Sequence, residues 1–235
     1  MRIVADCVPT AELNFSATAV LRELLERHFH GVTQRGFVDD LADKSHVVRL
    51  FDGTRLVGFS TLAYSYVTWQ GRRLAIIRSG DTIVDPLAWS AVGLAPAWIA
   101  AVRALHAQRL EPLYWLLICS SVRTYRFLEV FWQHFTPSVS GPDLELEPLR
   151  DHLAQAMYGG EFHPSDGVVR LIRPQVLRPH LQDLPDHVRH SPGAQLFYAL
   201  NPGHAEGDEL VCLCALSDAN LTAAGRRMVR MQQRN

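Results

Sequence analysis

A glycine-containing turn in front of a helical segment is the feature of this sequence best suited to binding a ligand. Gly93-Leu94-Ala95-Pro96 opens a stretch of helical composition that runs to residue 105. The first N–H groups of a helix have no intrahelical partner, and with the positive end of the helix dipole they can hold a pyrophosphate. Gly93 and Ala95 allow close approach, and proline is tolerated in the first helical turn. Such a turn also serves close helix packing, so the surrounding elements must decide between the two interpretations.

Other chemistry-bearing residue types lack the spacing that a site needs. His28-x-His30 straddles a helix end, and His180, His187 and His190 lie among prolines, so the eleven histidines are expected at the surface or at caps, with no metal bound. Cys212-x-Cys214 alternates with apolar residues, as in a buried strand. The sequence contains no G-x-S-x-G elbow, which argues against a serine hydrolase. It also contains no G-x-x-x-x-G-K-S/T phosphate loop, which argues against a P-loop nucleoside triphosphatase.

Composition narrows the classes of partner. The 235 residues carry 23 Lys plus Arg against 24 Asp plus Glu, so no basic field exists for a nucleic acid. The longest apolar stretch, residues 87–102, is interrupted by Gly93 and Pro96 and is shorter than the roughly 20 residues of a membrane span. The four cysteines form no C-x-x-C pair and no signal-like apolar run opens the chain, which predicts reduced thiols and a cytoplasmic location.

The elements that would position the turn alternate between strands and helices. In order, the periodicity predicts strand 2–8, helices 17–29 and 37–42, strands 47–51, 56–62, 64–69, 74–78 and 81–84, helix 93–105, strand 114–119 and helix 122–135. The pair Asp52-Gly53 favours a hairpin, and residues 47–84 are predicted to form an antiparallel meander. The fold class that follows is mixed α/β, with α and β elements around one mixed sheet.

Beyond residue 136 prolines and glycines become frequent, which marks the end of a first structural unit. Residues 168–172, 195–200 and 209–216 are predicted as strands or short buried segments, and residues 221–231 as a closing helix. Residues 1–136 are therefore predicted as a core domain. Residues 137–235 are predicted as a C-terminal extension packed on it.

The order of elements, together with two short motifs, resembles the GCN5-related N-acetyltransferases, the GNAT superfamily. Ser90-Ala91-Val92-Gly93-Leu94-Ala95 aligns with that family's cofactor motif Q/R-x-x-G-x-G/A, with Ser90 in place of Gln or Arg. After the next strand, Ser121 aligns with the asparagine of a second family motif, and Val130 stands in the place of that motif's tyrosine. The resemblance covers residues 1–136 and implies that acyl-CoA binds at residues 90–95 and at Ser121. It also implies that the main-chain N–H groups of Ile83 and Val84 polarise the thioester carbonyl.

The resemblance also implies where a general base and a general acid would lie. Family members place an acidic residue near the fourth strand, and Asp81 and Asp85 are the acids there, on one side of a regular strand. A structural role is the alternative for each acid. Asp85 precedes a proline, and Asp before proline commonly begins a turn, while Arg78 can pair with either Asp81 or Asp85. The family often uses its tyrosine as the acid for the leaving thiolate. Since Val130 has no proton to give, Tyr125 on the same predicted helix is the substitute, with a packing role as the alternative.

The predicted function is an N-acyltransferase that moves an acyl group from acetyl-CoA or a longer acyl-CoA to a small-molecule amine by direct attack. An acyl carrier protein is the alternative donor. Because dimers are common in that family, the resemblance also implies a homodimer. Ser90 and Val130, two departures at positions that normally carry chemistry, favour another possibility: a GNAT-fold binding or scaffold protein without turnover. An autoinducer-synthase-like enzyme is a third possibility.

Overall fold

Strands and helices alternate in the computed structural model, which describes residues 3–89 and 93–232. The strands are β1 (Ile3–Pro9), β2 (Phe29–His30), β3 (His46–Asp52), β4 (Arg55–Trp69), β5 (Arg72–Val84), β6 (Leu113–Cys119), β7 (Phe135–Thr136), β8 (Phe162–His163), β9 (Val168–Val169), β10 (Val176–Leu177) and β11 (Glu209–Ala215). The helices are α1 (Phe15–His28), α2 (Gln34–Ala42), α3 (Leu94–His106), α4 (Val122–Phe131), α5 (Leu146–Tyr158), α6 (Pro179–Gln182), α7 (Asp186–Arg189), α8 (Pro192–Leu200) and α9 (Ala223–Gln232). The mixed α/β class predicted from the sequence is confirmed.

The predicted meander is present as β3, β4 and β5, which pair antiparallel. Its first turn places Asp52 opposite Arg55, with Gly53 at a φ of 60°, a left-handed conformation that glycine adopts without strain. The segments predicted as separate strands merge into the two long strands β4 and β5. Among the described residues the main sheet has the order β1-β3-β4-β5-β6-β11-β9-β8, with β7 also paired to β11.

β5 and β6 run parallel to each other over only part of their length. Their pairing ends at Ser79 opposite Leu117, whereas β5 continues to Val84. A bulge in the pairing of β4 with β5 holds Asp81 at a φ of 39°. Because a bulge bends the strand that carries it, the two strands part beyond Ser79. The result is a gap in the middle of the sheet.

Helices cover both faces of the sheet, and alternate residues of β6 show the division. Leu117 packs in a cluster with residues of α3, α4, α8 and α9, whereas Leu116 packs against α5. Residues of α1 and α2 form a third cluster on the meander, and Leu24 and Phe37 are fully buried in it. The gap between β5 and β6 therefore connects two differently built sides of the sheet.

Two predictions about single elements were wrong. Helix α4 ends at Phe131 rather than at residue 135, because Trp132 is extended and Phe135 already belongs to β7. Residues 195–200 were predicted as a strand or a short buried segment; the strand alternative is wrong, because these residues belong to helix α8. The Ser191 side chain accepts a hydrogen bond from the Ala194 N–H at 3.3 Å. Ser191-Pro192 is a helix-start signal that the strand prediction overlooked, because serine is a favoured N-cap residue and proline is tolerated at the first helical position.

The C-terminal residues contribute the strand β11, which lies beside β6 with Leu210 opposite Cys119. Cys212 and Cys214 are buried in it, as the alternating pattern predicts. The division of the chain at residue 136 stays a prediction. Nowhere in residues 3–89 and 93–232 is a helix both long enough and apolar enough to cross a membrane.

Candidate active site

Two cavities lie at the gap between β5 and β6. The first, here called the aromatic cavity, measures about 250 Å³ and lies on the side of α3 and α4. The second, here called the acidic cavity, measures about 630 Å³ and is lined by residues of α2, β5, β11 and the end of α5. Both are lined by Phe29, Ser79, Thr82, Leu117, Ser120 and Thr124. A ligand in one cavity could therefore meet a ligand in the other at the gap.

Tryptophans and phenylalanine form the wall of the aromatic cavity. The rings of Trp98 and Trp115 have centroids 4.4 Å apart, and Phe127 packs edge-on against Trp115 at 5.8 Å. The Trp115 indole N–H donates to Ser79 Oγ at 2.9 Å, so its one polar atom is satisfied. At the mouth, the guanidinium of Arg123 lies 4.3 Å from the ring centroid of Trp89. Such a wall suits an apolar chain, with a cation at its entrance.

The main chain of β5 presents a donor to this cavity. Asp85 donates its N–H to the Val57 carbonyl of β4 at 2.7 Å. Because successive N–H groups of a strand point to opposite edges, the N–H of Val84 faces the gap, and that of Ile83 faces β4. The indole of Trp89 donates to the Val84 carbonyl at 2.9 Å on the same edge. Of the two main-chain donors predicted from the sequence, Val84 is the one directed at the gap.

The remaining cofactor residues predicted from the sequence lie around the beginnings of α3 and α4. Ser90, Ala91 and Val92 lie outside the described residues. Leu94 and Ser121 line the aromatic cavity. Gly93 is the N-cap of α3 and has no side chain to satisfy the first N–H groups, while Ser121 caps α4. Ala95 packs against the core of the same side.

Asp81 is the central residue of the acidic cavity. Its Oδ1 accepts a hydrogen bond from Gln175 Nε2 at 3.3 Å, whereas Oδ2 is buried without a partner. Burial raises the pKa of Asp81 to about 6, Asp40 raises it further and Lys44 opposes the change. A carboxylate with a pKa near 6 and a free lone pair can accept a proton at neutral pH.

Glu209, at the start of β11, is a second carboxylate in this cavity, and sequence reasoning missed it. Burial raises its pKa to about 7, with smaller contributions from Asp81 and Asp40. Burial also raises the pKa of Asp40 on α2. The signal for Glu209 was present in the sequence, because it is the one charged residue at the head of an otherwise apolar strand. Nothing local placed that strand next to the gap.

The cations of the acidic cavity are mostly committed to other partners. Arg78 pairs with Asp43 and therefore with neither Asp81 nor Asp85, the two partners expected from the sequence. Tyr158 lies beside Arg78, and burial raises the pKa of its hydroxyl to about 12. Lys44 donates to the main-chain carbonyl of Asp40 at 3.1 Å.

Asp85 and Tyr125, the other two predicted catalytic residues, line neither cavity. Asp85 is buried, its Oδ2 lies 3.0 Å from Arg55 Nη2, and its Oδ1 accepts from the Leu87 N–H at 3.0 Å. The bulge breaks the regular alternation that would have put Asp81 and Asp85 on one side. Tyr125 is fully buried and donates its hydroxyl to the Pro137 carbonyl at 2.9 Å, and burial raises its pKa. These contacts match the turn and packing roles that were the alternatives for the two residues.

Within the described part of the chain, no group of three His, Cys, Asp or Glu side chains is arranged to hold a metal ion. His28, expected at the surface or at a cap, is buried at the end of α1. The site is thus built from carboxylates, hydroxyls, main-chain donors and aromatic rings.

No protein-family model and no curated protein matches the chain. Among solved structures, a conserved protein of unknown function from Enterococcus faecalis, described as a "Probable N-Acyltransferase", is 13% identical with a TM-score of 0.44, over 56% of this chain and 33% of its own. A GNAT-family N-acetyltransferase from Escherichia coli in complex with CoA is 16% identical with a TM-score of 0.41, over 54% of this chain and 67% of its own. Glucosamine-6-phosphate N-acetyltransferase from Arabidopsis thaliana is 14% identical with a TM-score of 0.40, over 54% of this chain and 88% of its own. The chain spans about a third of the Enterococcus protein's length. Over about half of its own length the chain is similar to solved structures described as a probable N-acyltransferase or as N-acetyltransferases, one of which is described as a GNAT-family member.

Proposed function

We propose that this protein is an N-acyltransferase that takes its donor as a thioester in the aromatic cavity and its amine acceptor in the acidic cavity. One observation carries the proposal: the two cavities lie on opposite sides of the sheet and meet where β5 parts from β6. A reaction between two bound substrates needs such an arrangement, because it brings the nucleophile and the carbonyl together without water between them.

The donor side supports a CoA thioester. The ring wall of Trp98, Trp115 and Phe127 suits the apolar part of the donor, and Arg123 at the entrance suits a phosphate. The uncapped first turn of α3 offers N–H groups and the positive end of a helix dipole to a pyrophosphate. Acetyl-CoA or a longer acyl-CoA is the proposed donor, and an acyl carrier protein that presents the same pantetheine arm is the alternative.

The acceptor side supplies the base. Asp81 takes a proton from the acceptor ammonium, directly or through one water molecule, and the free amine attacks the thioester carbon. A C–N bond forms while the thioester carbonyl oxygen accepts a hydrogen bond from the Val84 N–H. The C–S bond then breaks, the nitrogen loses its second proton, and this proton passes through water to the thiolate, which leaves as a thiol toward the first turn of α4, where Ser121 and Thr124 carry hydroxyls. These hydroxyls and the helix dipole take the place of the acid that Tyr125 was predicted to supply.

The first experiment measures thermal stabilisation by free CoA, acetyl-CoA and longer acyl-CoAs. A ligand at 100 times its Kd adds about 2.7 kcal/mol to the free energy of unfolding, so a shift that depends on chain length would identify the donor. The absence of a shift with any CoA would contradict a CoA donor and leave the carrier protein or a scaffold role.

The second experiment measures thiol release from the stabilising donor with a panel of amines. Asp81→Asn is expected to lower kcat by roughly 100- to 10,000-fold, the contribution of a positioned general base. Asp186→Asn is the matched control, because Asp186 is exposed on α7 and lines neither cavity. Donor binding without thiol release from the unmodified protein would favour the binding or scaffold alternative.

A further inference from the structure

The acidic cavity has more carboxylates than its cations satisfy. Asp40, Asp81 and Glu209 all line it. Asp81 Oδ2 is buried and without a hydrogen-bond partner. The Glu209 side chain forms no hydrogen bond or ion pair with any described residue. An unpaired buried carboxylate is costly in free energy unless a cation approaches it or it takes up a proton.

The protein's own cations do not meet this need. Arg78 is paired with Asp43. Lys44 influences Asp81 and Asp40 at a distance, but its one hydrogen bond goes to a main-chain carbonyl, and it forms no ion pair within the described chain. Arg173 lines the cavity from an exposed position at its rim. The lining therefore leaves room for positive charge brought by a ligand.

Asp81 and Glu209 stand apart from each other. Glu209 precedes Leu210, which pairs with Cys119 at the end of β6, and Asp81 lies on β5 on the other side of β6. Two regular strand spacings amount to roughly 10 Å, and the gap between β5 and β6 adds to this at Asp81, so the main chains at these residues are more than roughly 10 Å apart. Odd-numbered residues of β11 face α5, which directs Glu209 to the same side of the sheet as the acidic cavity.

We propose that the acceptor is a linear compound with two amino groups, a diamine or polyamine, of which one stays a charged ammonium against Glu209 and Asp40 while the other reacts at Asp81. This inference rests on the proposed acyltransferase function and specifies its acceptor. Binding of this ammonium sets how far the acceptor extends into the cavity, so that its second nitrogen lies at the gap. Glu209 is a positioning residue here, because it binds the end of the acceptor that does not react.

The test compares three acceptors of similar length with acetyl-CoA as donor: 1,4-diaminobutane, 1-aminobutane and 4-aminobutanoate. Thiol release should show a kcat/KM for the diamine that exceeds the value for the monoamine by roughly 10- to 100-fold, the range of one charge-assisted contact. Glu209→Gln should raise the KM for the diamine by a similar factor relative to the KM for 1-aminobutane, because only the diamine carries the second ammonium that Glu209 binds. Glu206→Gln is the matched control, because it removes the same charge from an exposed position outside the cavity.

Equal use of the diamine and the monoamine, preference for 4-aminobutanoate, or an equal effect of Glu209→Gln on all acceptors would overturn the diamine inference and leave the transferase intact. Calorimetric titration of the free protein with 1,4-diaminobutane separates the two proposals. Binding that is lost in Glu209→Gln, without thiol release from the unmodified protein, would uphold the ligand class and contradict the transferase. Neither binding nor release would contradict both.

Discussion

Replacing Asp81 by asparagine should stabilise the protein above neutral pH while it lowers kcat. The folded state raises the pKa of Asp81 from 3.8 to about 6, so the folded protein holds this proton more tightly than the unfolded chain does. The free energy of unfolding therefore falls as pH rises through this window. The full difference between the two pKa values corresponds to ~3 kcal/mol in the free energy of unfolding, and about half of this is lost between pH 5 and pH 8.

The assay is urea-induced unfolding of the wild type and Asp81→Asn at pH 5 and pH 8. Between the two pH values, the free energy of unfolding of the wild type should fall by about 1.5 kcal/mol more than that of the variant. Glu209, whose pKa is raised to about 7, titrates in both proteins, so the difference reports Asp81 together with its coupling to Glu209. The asparagine side chain of the variant keeps an oxygen for Gln175, and comparison across pH removes any change that does not depend on pH.

Two results would refute the reasoning. If both proteins lose the same free energy between pH 5 and pH 8, Asp81 titrates near its ordinary value, and the cavity does not desolvate it. If Asp81→Asn keeps its kcat while it gains stability at pH 8, the buried carboxylate is not the proton acceptor. Asp186→Asn should follow the wild type in both measurements.

Three further substitutions separate the roles of neighbouring residues. Tyr125→Phe leaves the Pro137 carbonyl without its donor and should lower the free energy of unfolding by about 1–2 kcal/mol, with kcat unchanged in the thiol-release assay; a large loss of kcat would restore the acid role. Asp85→Asn weakens the pair with half-exposed Arg55 and should cost about 1 kcal/mol in urea unfolding without changing kcat. Trp98 lines both the aromatic cavity and a neighbouring cavity of about 600 Å³, so Trp98→Leu should shift donor preference toward longer acyl chains in competition assays, and an unaltered preference would contradict that placement.

The parts of the fold that sequence predicts well are those fixed by local chemistry. The Asp52-Gly53 turn and the alternation on either side of it are enough to specify the hairpin and the meander. Helix α8 was missed because the apolar run of five residues at 196–200 fits a strand and a helix equally well. Its Ser191-Pro192 start was the information that would have decided between them.

The candidate site was only partly predictable, because its decisive features are non-local. The sequence indicates Asp81 as an acid near a strand end, but its bulge, its buried Oδ2 and its contact with Gln175 depend on residues 94 positions apart. Glu209 reaches the cavity only because β11 pairs with β6, which lies about 90 residues earlier. Neither periodicity nor composition specifies which strands become neighbours, so the acidic cavity could not be assembled from the sequence.

Asp81 combines two features that each oppose folding. Its φ of 39° lies in the left-handed region that non-glycine residues seldom occupy, and its carboxylate is buried with one oxygen unpaired. Glycine would relieve both features, since it adopts this conformation without strain and has no carboxylate, and asparagine would remove the charge. A chain selected for stability alone would therefore not keep aspartate here. The bulge that imposes the conformation is the same one that parts β5 from β6 and opens the gap, so the strained backbone, the raised pKa and the meeting point of the two cavities have one structural cause.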